Sequence, residues 1–505
     1  MGDVLLEVDD AGLARDAAGC LIIGFPGTTA GDGLRRAVAA GLGGVVLFTR
    51  NVHDAEQLTA LTAALRAERE DVLIAIDHEG GEFSHLSSVD QWPLASPRSL
   101  GDLDDRELTR ASAREAAQVL AGFGIDVMLA PSVDVNSNPA NPIISTRSFG
   151  TTPDVVSRHG TAFVDGVHDA GIAACAKHFP GHGDVAVDSH LDLPYVDRWA
   201  EEIAAVELPP FAAAIASRVD LVMTAHIVYS DYDIVPATLS RRILTGLLRD
   251  ELGFTGVITT DALEMQGITA SRTIKGAAAG ALAAGADLAM VAVADADPAD
   301  LAAALIGAVG NDQLPAERLA ESATRVRRLG AALSNRRATS GWSGRVTEPS
   351  GTGDAVREVA RRMLVGQDVP ALGAAAYVAD LAQPVHPAWR PYFDGLPQIF
   401  REVTGRADEP GVVIRADEPG TVERVLAQAA GRALIVAVQD AGRTPWMVAG
   451  MRRLVTEHAG PVVVMCTGIP EDRALVPDGV PVVVTDGRNM VVLRAVAERL
   501  VREHG

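Results

Sequence analysis

The stretch AACAKHFPGHGDVAVDSHLDLP, residues 173–194, opens as a short apolar run and turns at Lys177 into a loop dense in histidine, aspartate and glycine. A buried run of this length, broken at its C-terminal end by charged side chains, reads as a strand that delivers polar groups to one edge of a sheet. Seven other runs before residue 300 have the same character: CLIIGF (20–25), GVVLF (44–48), VLIAID (72–77), VMLAP (127–131), LVMTAH (221–226), GVITTD (256–261) and LAMVAV (288–293). Segments of helical period lie between them, at 54–69, 105–122, 154–170, 200–217 and 240–251. Eight strands alternating with helices over about 300 residues match a (β/α)8 TIM-type barrel. A doubly wound sheet is the competitor, but it has fewer strands and a glycine-rich phosphate turn after the first. Asp77, Lys177 with His178, His226 and Asp261 each end a predicted strand, the rim where barrels carry their chemistry. One such residue is commonly a helix cap; four strands ending this way is hard to attribute to capping.

Beyond the barrel, SNRRATSGWSGRVTEPSGTGD (334–354) has linker composition, and a second alternation follows. Its runs AAAYVAD (374–380), VVIRAD (412–417), ALIVAVQD (433–440), PVVVMCTG (461–468) and PVVVTD (481–486) predict a smaller αβα sandwich on a parallel sheet. The expected division is a catalytic barrel over 1–335, a linker over 336–353 and the sandwich over 354–505.

Composition narrows the function. Lys+Arg is 44 against Asp+Glu 66, a formal net charge of −22, which argues against a nucleic-acid binder and against docking on anionic lipid. Cys20, Cys175 and Cys466 form neither a disulfide framework nor a zinc spacing. The N-terminal MGDVLLEVDDAG lacks the basic and apolar regions of a signal peptide, and no apolar run reaches the roughly 18 residues that span a bilayer. The reading is a soluble, cytoplasmic protein. Only Lys177 and Lys275 are lysine, every other basic residue being arginine. A lysine inside the densest motif therefore suggests that a compact ammonium is wanted there.

Three readings compete for KHFPGHGDVAVDSHLDLP (177–194): a solvated surface loop, a divalent-metal site built from its histidines and aspartates, and a mobile acid/base loop. In the last, Asp188 would hold the tautomer of His190 and favour its protonated form. Metal-dependent amidohydrolase barrels place H-x-H at the end of the first strand, where this chain has GFPG. In GFTGVITTDALEM (253–265), Asp261 ends an apolar strand and is either a helix N-cap or a nucleophile or anion stabiliser. In AIDHEGGEF (75–83), Asp77 ends a strand and Gly80 and Gly81 allow a tight turn.

Together these strings resemble glycoside hydrolase family 3, in its β-N-acetylglucosaminidase branch. The resemblance is dense from about residue 20 to 290. It rests on GVVLFTRN (44–51), D-H-E-G-G (77–81), LAPSVDVN (129–136), TRSFG (146–150), KHFPGHGDVAVDSH (177–190), MTAH with PATLS (223–240) and GFTGVITTDALEM (253–265). It implies a retaining mechanism in which Asp261 is the nucleophile, His190 the acid/base and Asp188 its dyad partner. Asp77, Arg147, Lys177 and His178 match positions that bind sugar hydroxyls. Two departures stand out: Phe83 and His85 replace the family's usual valine and arginine after D-x-E-G-G, and Thr146 precedes R-S-F-G. His85, where an arginine normally helps hold the sugar, joins the substrate-binding candidates.

The resemblance implies an exo-β-N-acetylglucosaminidase acting on muropeptide- or chitin-derived fragments, with no metal or organic cofactor and a small glycoside or oligosaccharide as partner. A phosphorylase that uses inorganic phosphate is the alternative, since a neutral imidazole repels an incoming anion less than a carboxylate does. A β-glucosidase, a metal amidohydrolase and a non-catalytic sugar-binding relative remain as further readings.

Overall fold

The computed structural model describes residues 10–86, 89, 94–186, 193–293, 296–340, 353–383, 395–406 and 410–502. Eight parallel strands form the expected barrel: β1 (Leu21–Ile23), β2 (Gly44–Leu47), β3 (Leu73–Ile76), β4 (Val127–Met128), β5 (Ala173–Phe179), β6 (Leu221–Thr224), β7 (Val257–Thr259) and β8 (Ala289–Val291). Each pairs in parallel with its neighbours in chain order, β8 pairs with β1, and a single bridge between Thr259 and Leu288 joins β7 to β8.

Alternation along the strands explains why nearly every strand residue is apolar. Ile22, Val46, Ala75, Val127, Cys175, Met223, Val257 and Met290 point into the barrel. Their neighbours Ile23, Val45, Ile74, Met128, Ala174, Val222, Ile258 and Val291 face the outer helices. Burial on both sides is the pattern of a parallel sheet covered by helices.

The helix Ala316–Ser340 plugs the N-terminal end of the barrel, placing Val326 and Leu333 in the interior cluster. It runs on to Ser340, past the boundary placed at 335, because its arginines have partners beneath the strands. Arg337 pairs with Asp126, and Arg318 and Arg325 with Asp287 at 2.6 and 2.7 Å. Residues 341–352, most of the expected linker, lie outside the described residues.

The second domain has five parallel strands, β9 (Tyr377–Leu381), β10 (Gly411–Ile414), β11 (Leu434–Val438), β12 (Val462–Cys466) and β13 (Val482–Val484), in the order β10-β9-β11-β12-β13. Helices Leu396–Thr404 and Met490–Leu500 cover one face, and Thr421–Gln428 and Pro445–Glu457 the other. This is the expected αβα sandwich. The helix Asp354–Met363 leads into it while burying Val356, Val359, Ala360 and Met363 against the barrel's outer core.

The C-terminal ends of β11 and β13 meet the C-terminal rim of the barrel. Gln439 donates to Glu82 at 2.6 Å, Ser99 to the carbonyl of Asp486 at 3.2 Å, and Asn489 to the carbonyl of Leu94 at 3.0 Å. The second domain therefore overlooks the barrel mouth.

Candidate active site

The rim residues build one charged network. Lys177, near the end of β5, is almost fully buried and lies 2.5 Å from Asp77 Oδ1 and 2.6 Å from Glu79 Oε1. Arg147 grips the same Glu79 with two bonds, Nε to Oε2 at 2.7 Å and Nη2 to Oε1 at 2.8 Å. Its Nη2 also lies 3.3 Å from His178 Nε2, and its guanidinium sits 5.3 Å from the centroid of the Phe83 ring. The other nitrogen of His178 meets Asp134 Oδ2 at 2.7 Å. Planar, bidentate pairing of this kind fixes orientation as well as charge.

Burial opposes ionisation of Glu79, but Arg147 and then Lys177 outweigh it and draw the carboxyl down to about 2. Burial likewise works against the charge on Lys177, and Asp77 and Glu79 overcome it, so the ammonium is held well above its ordinary range. The site is thus an ionised array whose charges are paired within the protein, which is what makes charges tolerable at this depth.

Two loops are shaped to form it. Asp77 ends β3, and the chain folds back as a short ribbon in which His78–Gly80 pairs with Phe83–Ser84. Gly80 has φ +109°, and a Cβ there would stand 2.2 Å from the carbonyl of Ala95. The turn brings His85 N to the carbonyl of Asp77 at 3.1 Å, and His85 Nδ1 to Thr49 Oγ1 at 3.0 Å. Burial pushes His85 down to about 4, with Asp77 opposing, so at neutral pH it offers hydrogen bonds rather than charge. The second loop follows β5. Asp134 Oδ1 accepts from the backbone N–H groups of His178 at 3.0 Å and His182 at 2.7 Å, and Oδ2 accepts from Ser132 at 2.9 Å. Burial raises the Asp134 carboxyl and His178 lowers it, with a net fall well below the usual range. A Cβ on Gly183 would lie 1.6 Å from the carbonyl of Val135, so only glycine lets this loop lie so close to the β4 loop.

Asp261 follows β7, half-buried, and its Oδ1 accepts from Ala262 N at 2.7 Å. His226, past the end of β6, reaches the carbonyl of Ala262 at 3.0 Å and Thr238 Oγ1 at 2.7 Å, tying β6 to the strand end that carries Asp261. The structure thus joins Asp77, Arg147, Lys177 and His178 in one cluster with His85 at its edge. Asp188 and His190 lie outside the described residues.

The glycosyl hydrolase family 3 N terminal domain matches residues 35–329. The chain belongs to glycosyl hydrolase family 3. It is 37% identical over 316 residues to beta-hexosaminidase A of Pseudoalteromonas piscicida, covering 57% of this chain and 53% of that protein. It is 39% identical over 259 residues to a beta-hexosaminidase of Shewanella frigidimarina, covering 50% of this chain and 74% of that one. The chain therefore spans about half the length of the first relative and three-quarters of the second. Among solved structures, a glycoside hydrolase family 3 beta-N-acetylglucosaminidase from Paenibacillus sp. str. FPU-7 superposes with a TM-score of 0.84 at 29% identity, covering 97% of this chain and 96% of that one.

Two residues of this network in the family 3 barrel escape a reading from sequence. Glu79 lies inside D-H-E-G-G and Asp134 inside LAPSVDVN, both visible strings, but neither ends an apolar run. Only the fold reveals that one joins Lys177 to Arg147 and the other holds His178.

Proposed function

We propose that the chain is a retaining exo-β-N-acetylglucosaminidase. One observation carries the reading: Asp77, Lys177, Arg147 and His178 converge on the barrel mouth as a preorganised, hydrogen-bonded array, beside the strand end that bears Asp261. Relatives named beta-hexosaminidases support the choice of sugar. The natural substrate would be a fragment derived from muropeptide or chitin, met in the cytoplasm. The barrel, with its closing helix running to Ser340, would hold the reacting sugar, and the sandwich over 354–505 would overlook it across a linker.

In the first step Asp261 attacks the anomeric carbon, the glycosidic bond breaks, and His190 gives its proton to the departing oxygen. In the second, neutral His190 takes a proton from water, whose oxygen attacks the same carbon and releases Asp261. Asp188 would orient His190 and stabilise its protonated form. Preformed pairs on Asp77, Lys177 and Arg147 spare the site reorganisation when sugar hydroxyls arrive.

The test is labelling with a slow fluorosugar of the N-acetylglucosamine series, followed by peptide mapping. Modification of Asp261, and its absence in Asp261→Asn, is expected; modification elsewhere rejects the nucleophile. Release of N-acetylglucosamine from an aryl β-glycoside at equal rate with and without inorganic phosphate is expected. Formation of the sugar 1-phosphate would make phosphate the acceptor in place of water.

A further inference from the structure

Arg147 is held in place from outside the barrel. It closes the turn Ser145–Arg147, and Ser145 has φ +46°, a left-handed conformation that non-glycine residues avoid. The Ser145 hydroxyl lies 3.0 and 2.9 Å from the two carboxylate oxygens of Asp440, which follows β11 of the second domain. Asp440 is buried, and its Oδ1 also accepts from Ile469 N at 2.9 Å. Its Oδ2 pairs with Arg443, which in turn donates to the carbonyl of Asn141. A Cβ on Gly468 would approach Asp440 Oδ1 to 2.2 Å, so the sandwich is shaped to admit this carboxylate.

The far side of the same turn is tied to the catalytic loop. Asn141 Oδ1 accepts from Ile143 N and Ile144 N at 2.9 and 2.8 Å, and Asn141 Nδ2 donates to the carbonyl of His182 at 2.7 Å. The segment 141–147 is thus fastened to the second domain by Asp440 and Arg443, to the loop after β5 by Asn141, and to Glu79 and His178 by Arg147. Some contacts between the domains lie away from this segment, such as Arg98 Nη2 to Glu471 Oε1 at 2.8 Å.

We propose that Asp440 is a positioning residue for the sugar site, acting through Ser145 to set Arg147 against Glu79 and His178, so that the barrel's site is complete only with the second domain docked. The inference rests on the glycosidase reading for its kinetic consequence, but the clasp itself is a structural claim that stands without it.

The experiment uses the full chain and an aryl β-N-acetylglucosaminide. Asp440→Ala is expected to lower kcat/KM about 10- to 100-fold, as a displacement near 1 Å in a positioning group does. The loss should fall mainly on KM, and Asp440→Asn, which keeps an acceptor for Ser145, should recover part of it. In an Arg147→Ala background, Asp440→Ala should cost nothing more, because its effect passes through Arg147. Glu471→Ala, which loosens the same interface elsewhere, should leave kcat/KM unchanged.

An equal fold-loss from Asp440→Ala with and without Arg147, or an equal loss from Glu471→Ala, overturns the proposal. Hydrogen exchange of the free protein supplies a second readout: Asp440→Ala should deprotect amides over 141–148, and Glu471→Ala should not. Unchanged exchange over 141–148 overturns the clasp whatever the activity. An inactive wild type whose Asp440→Ala variant deprotects that segment would overturn the glycosidase reading and leave the clasp standing.

Discussion

Glu79 Oε1 lies 2.6 Å from Lys177 Nζ and 2.8 Å from Arg147 Nη2, so a single buried carboxylate stands between the two cations of the barrel mouth. Without it, the buried ammonium and guanidinium would face each other. Glu79→Gln keeps the shape and removes the charge. Breaking a buried ion pair on one side costs about 3–5 kcal/mol, and here Arg147 loses its carboxylate while Lys177 is left with Asp77 alone. The expected outcome is a fall of that size in unfolding free energy by denaturant titration, together with loss of turnover on an aryl β-N-acetylglucosaminide. A variant as stable and active as the parent would show that Asp77 alone neutralises the site.

Asp134 supports a different part of the site. Its carboxylate accepts from His178 Nδ1, from two backbone N–H groups and from Ser132, and all four are donors. Asp134→Asn replaces one acceptor oxygen by an NH2 group that must point at a donor. His178 then loses the partner that fixes its tautomer, and the loop at His182 loses an anchor. We expect kcat/KM to fall about 100-fold or more, on the scale of a misplaced catalytic loop. Kinetics within about twofold of the parent would mean that the loop is held by other contacts.

How much of this was legible depends on whether a residue announces itself locally. GVITTD and VLIAID place a carboxylate at the end of an apolar run, a pattern that needs no partner to be noticed, so Asp261 and Asp77 stand out in the bare sequence. The strand starts are the converse. Asp126 and Asp287 precede or open their runs and read as loop residues, yet each is buried beneath the barrel by arginines of the helix Ala316–Ser340. Arg337 is 211 positions from Asp126, and no local pattern carries a pairing over that distance. The fourth strand, read as 127–131, is only Val127–Met128 as a regular ladder, although backbone bonds continue beyond it, from Leu129 N to the carbonyl of Ile76 and from Cys175 N to the carbonyl of Ala130, both at 2.9 Å. The mutual dependence of the two domains was illegible for a similar reason. Asp440 ends an apolar strand as Asp261 does, but its partner Ser145 lies 295 positions away in a turn without periodicity.

Glu207 introduces a pH dependence of stability away from the strand-end cluster. It is 3% exposed beneath the loop at Gly181, and neither carboxylate oxygen has a hydrogen-bond partner among the described residues; Arg198 approaches only to 3.8 Å. Burial, reinforced by Asp134 and Asp184 and opposed by Arg198, raises the carboxyl to about 8. The folded value lies above the unfolded one, so folding favours the protonated acid. That contribution is complete below the unfolded value of 4.5 and is lost as pH rises through about 8. Melting temperatures of the parent and of Glu207→Gln, measured from pH 5 to 9, should diverge, the parent falling more steeply. Parallel curves would show that Glu207 is neutralised by another group.

The barrel's two ends separate stability from chemistry, and Asp287 is where the separation is sharpest. It sits fully buried just before β8, at the end of the barrel remote from the mouth. Its Oδ1 accepts from Arg318 at 2.6 Å and Arg325 at 2.7 Å, while Oδ2 pairs with Arg249 and accepts from Ile258 N at 2.9 Å. One carboxylate thereby staples the helices Ala316–Ser340 and Arg242–Glu251 to the start of β8. Asp287→Asn leaves three arginines around a neutral amide, so a loss of about 3–5 kcal/mol is expected in denaturant unfolding. Conservation of charge at the mouth is untouched, and strand starts in barrels govern stability while strand ends govern catalysis. KM and kcat measured well below the unfolding transition should therefore match the parent, in contrast to Glu79→Gln. A rise in KM with unchanged stability would mean that strain at the base of β8 is transmitted to the mouth, and the two ends would not be independent.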